Sequence, residues 1–165
     1  MVRAVFDNWQ FSGITTLATG TPTGIGLATS DNFDFSGGGD GTRVNLTGPV
    51  SYVKDRNSLQ WVDQNFVARP TRGEYGNIGK TAFRLPGIHN WDMTLFKNIP
   101  LGRGENSPRL QFRWEAYNVF NHTQYMSIDT TARFNPAGQQ INATFGQVTA
   151  TRPPRQMQGS LRIQF

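Results

Sequence analysis

Residues 157–165 read MQGSLRIQF, in which Met157, Gly159, Leu161, Ile163 and Phe165 alternate with Gln158, Ser160, Arg162 and Gln164. A period of two sends successive side chains to opposite faces of a sheet, so this stretch predicts a strand with one apolar and one polar face. A transmembrane β-barrel requires that pattern, because one face meets lipid and the other an aqueous or plugged lumen.

Three other stretches read the same way. In Asn8–Thr19, Trp9, Phe11, Gly13, Thr15 and Leu17 share a face against Asn8, Gln10, Ser12 and Thr16, with Ile14 out of pattern. In His89–Lys97, Trp91, Met93 and Leu95 oppose Asn90, Asp92 and Thr94. In Leu110–Tyr117, Leu110, Phe112, Trp114 and Ala116 oppose Gln111, Arg113, Glu115 and Tyr117. Ile99–Arg109 carries Pro100, Gly102, Gly104 and Pro108, a turn that should join the last two strands as a hairpin. The first two strands are separated by about seventy residues, including SGGGDG at Ser36–Gly41, and the last two by nearly forty. Long, short, long is the order of an up-and-down outer-membrane barrel, which has short periplasmic turns and long outer loops. With the final strand ending in the periplasm, the turn at Gly102 falls there as well.

Composition agrees. The 165 residues suit one unit, and neither an internal repeat nor a shift in composition divides them. Only 36% of residues are hydrophobic, yet there are 12 Phe and 4 Trp, cut into short pieces by 18 Gly and 9 Pro, which favours strands over helices. No apolar run approaches the roughly 20 residues of a membrane-spanning helix. The absence of cysteine removes disulfides and thiol chemistry, and fits an oxidising envelope compartment as well as the cytosol. The net charge of +5 comes from scattered single residues, which argues against nucleic acid as a partner. Met1–Gln10 lacks the apolar core of a signal peptide.

The ionisable residues within the strands, Asp92, Arg113, Glu115 and Arg162, all fall opposite Trp91, Trp114 and Leu161, which predicts that they face the lumen. Asp92 and Glu115 are expected to pair with Arg113 or neighbouring cations across the hairpin. The competing reading is the solvated polar face of a soluble sandwich.

Candidate chemistry is sparse. His89 and His122 lie near strand ends with no second ligand at metal spacing, and no metal is expected there. Asn32, Asp34, Ser36 and Gly37 resemble the start of a calcium loop, but Arg43 stands where a bidentate Glu is needed. There is no nucleophile elbow, and no apolar pocket to split the proton affinities of Asp92 and Glu115, so the chain is not expected to be an enzyme or to carry a cofactor. Gly102 and Gly104 are turn glycines, not a nucleotide loop. Asn45, Asn121 and Asn142 open N-x-T sequons, which are incidental in a bacterial outer-membrane protein. Tyr52, Trp61, Phe66, Tyr75 and Tyr125 lie in the long loops, either contacting a ligand from outside or packing the loops together. Trp9, Trp91 and Phe165 are candidates for interfacial girdles.

HNWDMTLFKNIP (His89–Pro100), then LQFRWEAYNVFNH (Leu110–His122) and a terminal strand closing on Phe165, resemble the end of a TonB-dependent outer-membrane receptor. The nearest subgroup is the Oar-like receptors, which carry a carboxypeptidase-regulatory-like domain at the amino end. WQFSGITTLATGTP (Trp9–Pro22) and the loop Phe66–Gly87, with Arg72-Gly73-Glu74-Tyr75-Gly76-Asn77, resemble the preceding part of such barrels. The resemblance implies an all-β, antiparallel barrel of about 22 strands closed by a plug, which takes up a scarce extracellular ligand with energy passed through TonB. Residues 1–165 would then be a carboxyl-terminal barrel segment of about four strands, up to eight, without the plug. Its implied partners are outer-membrane lipid, the rest of the barrel and plug, the TonB system acting through that plug, and the barrel-assembly machinery. That machinery would read Leu161, Ile163 and Phe165, although Ser160 stands where its signal usually has a glycine and the glycine here is Gly159. Two other functions stay open: a small self-contained barrel serving as an anchor or adhesin, and a soluble β-rich carbohydrate-binding module. The first needs four further strands, from Arg43–Lys54, Leu59–Ala68 and Thr130–Val148. The second needs another sheet over the aromatic faces.

Overall fold

The structure is a computed structural model that describes residues 6–31, 42–53, 55, 58–104 and 107–165. Ser36–Gly41 and the calcium-loop positions Asn32, Asp34, Ser36 and Gly37 lie outside the described residues, as does Lys54. In chain order the strands are β1 (Trp9–Ala18), β2 (Pro22–Thr23), β3 (Gly26–Thr29), β4 (Asn45–Leu46), β5 (Val67–Ala68), β6 (Phe83–Arg84), β7 (Ile88–Pro100), β8 (Arg109–Tyr117), β9 (Tyr125–Ile128), β10 (Thr131–Phe134), β11 (Val148–Thr151) and β12 (Gln156–Gln164). Among the described residues no helix is long and apolar enough to cross a membrane.

Two compact units result, one from the chain up to Ala18 with Ile88–Gln124 and Arg152–Phe165, the other from Thr19–Gly87 with Tyr125–Thr151. The first is built on a sheet in the order β1-β7-β8-β12, with every neighbouring pair antiparallel. These are the four alternating stretches of the sequence. They run 10, 13, 9 and 9 residues, close to the roughly 9–11 residues a tilted strand needs to cross a bilayer. Ala18 pairs with Ile88 and Tyr117 with Gln156, so both long connections leave the sheet at the same end. The β7–β8 turn closes the opposite end.

That turn is tighter than the composition of Ile99–Arg109 suggests. Ile99 pairs with Leu110 and Pro100 with Arg109, which carries the ladder into this stretch by two residues on the β7 side and one on the β8 side. Pro100 is tolerated because it is the last residue of its strand, where its missing N–H costs no interior ladder bond. The turn is then held by Leu101 N–H donating to Pro108 O at 2.9 Å and Gly104 N–H to Ser107 Oγ at 2.8 Å.

The second unit is where hydrophobic burial concentrates. Ile25, Val44, Val62, Phe66, Val67, Ile78, Phe83, Ile128, Ala132, Phe134 and Phe145 form one buried cluster, and every member belongs to this unit. The long connections were expected to lack regular structure, but they carry short ladders: β2 with β6, β4 with β5, β9 with β11, and β3 with β10, the last pair parallel. None of these strands extends the four-stranded sheet. The stretches weighed as extra barrel strands therefore yield only two- to four-residue pieces, because Gly, Pro and Asn interrupt any longer alternation. Their order comes from contacts distant in sequence, such as Gln60 Nε2 donating to Phe145 O at 2.8 Å and Gly146 N–H to Asp129 O at 2.8 Å.

Gly146 is one of the tightly constrained points of this unit. Its φ is +78°, and a Cβ there would sit 2.6 Å from Gln60 Nε2 and 2.7 Å from Val62 O. Gly146→Ala should destabilise the unit by about 1–3 kcal/mol, read as lost amide protection at Val62 and Phe145 in hydrogen exchange. Gly48→Ala, at a site with open space around its Cβ position, should leave protection unchanged.

Candidate functional site

The register sorts the sheet into two faces. Reading across β1, β7, β8 and β12, one face carries the rows Gly13–Met93–Ala116–Met157, Phe11–Leu95–Trp114–Gly159 and Trp9–Lys97–Phe112–Leu161. The other carries the rows Ser12–Thr94–Glu115–Gln158 and Gln10–Phe96–Arg113–Ser160, with the pairs Ile14–Asp92 and Tyr117–Gln156 at one end. The apolar face lacks the burial that a soluble sandwich would give it: β1 and β12 are exposed along their whole lengths, Phe11 at 66% and Leu161 at 67%. A soluble carbohydrate-binding module needs those side chains covered, and they are not.

Three residues in these rows break the sorting. Ile14 stands among the polar rows beside Asp92, and Phe96 between Gln10 and Arg113. Lys97 stands among the apolar rows, but its ammonium lies 4.5 Å from the Trp9 ring centroid and donates to Asp7 O at 3.2 Å. Its stem can thus cover apolar surface while the charge reaches past the strand end, as lysines near a bilayer boundary do. Trp9 pairs with Lys97 at one end of the β1–β7 ladder, and Trp91 with Thr15 towards the other. Trp91 is stacked edge-on by Phe120, with centroids 5.4 Å apart.

Asp92, Arg113, Glu115 and Arg162 fall on the polar face, yet their partners differ from the expected ones. Glu115 pairs with Arg113 along its own strand rather than across the hairpin, and accepts a second bond from Gln158 of β12. Residues two apart on one strand share a face, so the two side chains meet without any cross-strand partner. The Arg113 guanidinium also stands 5.0 Å from the Phe96 ring centroid. Among the described residues Asp92 pairs with no cation. Its Oδ1 accepts from Asn90 Nδ2 at 2.8 Å and from the Asn118 N–H at 2.9 Å, which pins the end of β8 to β7. Arg162 stands opposite Gln111, which bonds Asn98 Oδ1 at 3.0 Å.

A cavity of about 380 Å³ opens beside Asp92, lined by Thr16, Asn90, Asp92, Tyr117, Gln124 and Arg152 among others. Gln124 and Arg152 carried no signal in the sequence. Gln124 directly follows the His122-Thr123 pair in an irregular segment, and Arg152 follows β11 by one residue, so no strand period fixes where either points. Gln124 is buried and donates to Asn90 Oδ1 at 3.1 Å.

Of the loop aromatics, Phe66 is buried in the core of the second unit, packed 6.3 Å from Phe145, and is not available to a ligand. Trp61 lies between Tyr52 and Tyr125 in edge contacts of 6.1 and 6.5 Å, and its Nε1–H donates to Arg84 O. The Tyr52 hydroxyl accepts from the Arg84 N–H at 3.0 Å. These three rings pack the unit together. Tyr75 differs: it is 60% exposed, beside an open cleft of about 610 Å³ lined by Asn45, Thr47, Glu74 and Asn77.

His89 and His122 are brought together, with Nε2 atoms 3.1 Å apart, although they lie 33 positions apart in sequence. Spacing along the chain could not show this, because His122 sits in the turn that follows β8. Among the described residues no group of three or more His, Asp or Glu is placed to hold a metal.

The second unit also holds a densely bonded carboxylate. Burial alone would raise the pKa of Asp129, but bonds from the Thr131 N–H, Thr144 Oγ1 and Asn142 Nδ2 outweigh it and hold the pKa below the ordinary value. The Arg69 guanidinium, 2.9 Å away, likewise lowers that of Asp31.

Residues 1–158 match the family model described as an outer membrane beta barrel domain. No curated protein and no solved structure matches the chain.

Two predictions follow from this geometry. Leu161→Arg places a charge on the apolar face at a cost of about 2–4 kcal/mol at mid-depth and should cut the amount assembled in outer-membrane fractions. Ser160→Arg, one residue away on the polar face, should not. Asp129 is stabilising above its unfolded pKa of about 3.9, and that contribution fades as pH falls through the lower folded value. Protection of the second unit in hydrogen exchange should therefore be level from neutral pH to about 5 and fall below about 4, with a shallower fall in Asp129→Asn.

Proposed function

The chain belongs to the outer membrane beta barrel domain family, and from that premise we propose that it supplies closing strands and outer loops of a TonB-dependent receptor of the Oar-like kind. The observation that carries this reading is the pair of open edges. The four long strands follow chain order and leave β1 and β12 each with one unpaired side. An edge in hydrocarbon leaves N–H and C=O groups without partners, and the smallest natural barrels use about eight strands. Further strands must therefore flank β1 and β12, and a large receptor barrel provides them.

The polar face suits the wall of a plugged lumen. Asp92, Arg113, Glu115 and Arg162 would line it, the first three satisfied by Asn, Gln and one another rather than by bulk ions. In this reading the turn at Leu101–Pro108 is periplasmic and the long connections are extracellular, with Tyr75 and its cleft the part best placed to meet an incoming ligand. TonB acts through a plug, which lies outside these strands. Leu161, Ile163 and Phe165, all exposed, would serve as the signal for the assembly machinery. The chain would bind and guide rather than catalyse, and it needs no cofactor. A self-contained anchor barrel is disfavoured because the short strands pair among themselves and not with β1 or β12.

Two experiments test the reading. The chain alone in detergent should migrate identically on a gel with and without heating, whereas heat-modifiable migration would mean that it closes by itself. A photo-crosslinker at Glu115, in cells making the complete reading frame, should yield a plug adduct. Solvent-accessible labelling there without any protein adduct would overturn the receptor assignment.

A further inference from the structure

We propose that His89 and His122 form a two-imidazole site for a divalent transition cation of the Cu²⁺, Ni²⁺ or Zn²⁺ class, clipping β7 to the turn that follows β8. Imidazole nitrogens bind such an ion at about 2.0–2.1 Å, so two nitrogens 3.1 Å apart subtend roughly 100° at the ion. That angle lies between those of tetragonal and tetrahedral ligand pairs. The bite distance is therefore already present, and rotation of the two exposed rings would turn both lone pairs onto one ion.

The backbone holds this geometry in place. His89 belongs to β7 and is paired with Leu17 of β1. His122 is clamped by one side chain: Asn118 Oδ1 accepts from the His122 N–H at 3.0 Å, and Asn118 Nδ2 donates to the His122 carbonyl at 3.0 Å. Asn118 is itself fixed, because its N–H donates to Asp92 and its φ is +50°. The Trp91 ring meets His89 edge-on at 6.1 Å. The ring centroids of the two histidines are 4.1 Å apart.

Chemistry selects the class of ion. Two nitrogens with no carboxylate joining them among the described residues favour metals that prefer imidazole, with Cu²⁺ bound most strongly, over calcium or magnesium, which seek oxygen. Both histidines are exposed, so water completes the coordination and no desolvated charge is left behind. A cation there would join segments 33 positions apart and stabilise the folded form by mass action.

The chain has only these two histidines and no cysteine, which makes the test direct. Cu²⁺ is titrated into the full chain folded in detergent micelles and followed by electron paramagnetic resonance. The expected result is one ion per chain with a two-imidazole signature. His89→Gln and His122→Gln should each lower affinity by more than the roughly tenfold that loss of a supporting hydrogen bond costs, and should leave a one-imidazole signal. A one-imidazole signature in the unaltered chain, or equal affinity in the double variant, would overturn the proposal. A second readout needs no variant: Zn²⁺ should raise the unfolding midpoint of the unaltered chain above that in chelator, and an unchanged midpoint would count against the clip.

Discussion

A strand in hydrocarbon has no water to satisfy its N–H and C=O groups, so each must bond to a neighbouring strand. That constraint organises the first unit. Its strands are long, continuous and ordered as in the chain, and the ladder runs unbroken from Trp9–Lys97 to Ala18–Ile88 and from Gln164–Arg109 to Gln156–Tyr117. Pro100 is placed at a strand end, where it removes no interior bond. The constraint also makes the sheet incomplete, since two edges remain to be paired.

The same solvent explains why the two units divide their apolar residues so differently. The second unit has a protein core of eleven buried residues, four of them phenylalanine. The sheet has no comparable core; Ala116 is its one buried hydrophobic among the described residues. Its large side chains, Phe11, Leu17, Leu161 and Ile163, stand exposed, because lipid takes the place that a second protein layer would fill. An overall hydrophobic content of 36% is thus compatible with membrane insertion: half of each strand is apolar, and the polar half faces away from lipid.

The four long strands were legible in the sequence because a period of two is a local property, visible within eight residues. MQGSLRIQF needs no partner to be read. The faces of Asp92, Arg113, Glu115 and Arg162 follow from parity alone. Their partners do not, since pairing depends on rotamers, and Glu115 took Arg113 along its own strand where a cross-strand partner was expected. The second unit was illegible for a deeper reason. Val44, Val62, Phe134 and Phe145 are scattered singly among Gly, Asn and Thr, and only contacts distant in sequence make them a core. The approach of His89 to His122 belongs to the same class, as it depends on the turn at Asn118 and Asn121, both at positive φ.

The central claim is that Met157, Leu161 and Ile163 meet lipid while Gln158, Ser160 and Arg162 do not. The absence of native cysteine allows single cysteines at these six positions to be spin-labelled in a membrane-inserted preparation, and their collisions with oxygen and with a polar nickel chelate to be compared. The account predicts strict alternation, with oxygen accessibility high at Met157, Leu161 and Ile163 and low between them. Equal accessibility at all six positions, or exclusion of both reagents from the three apolar ones, would contradict it.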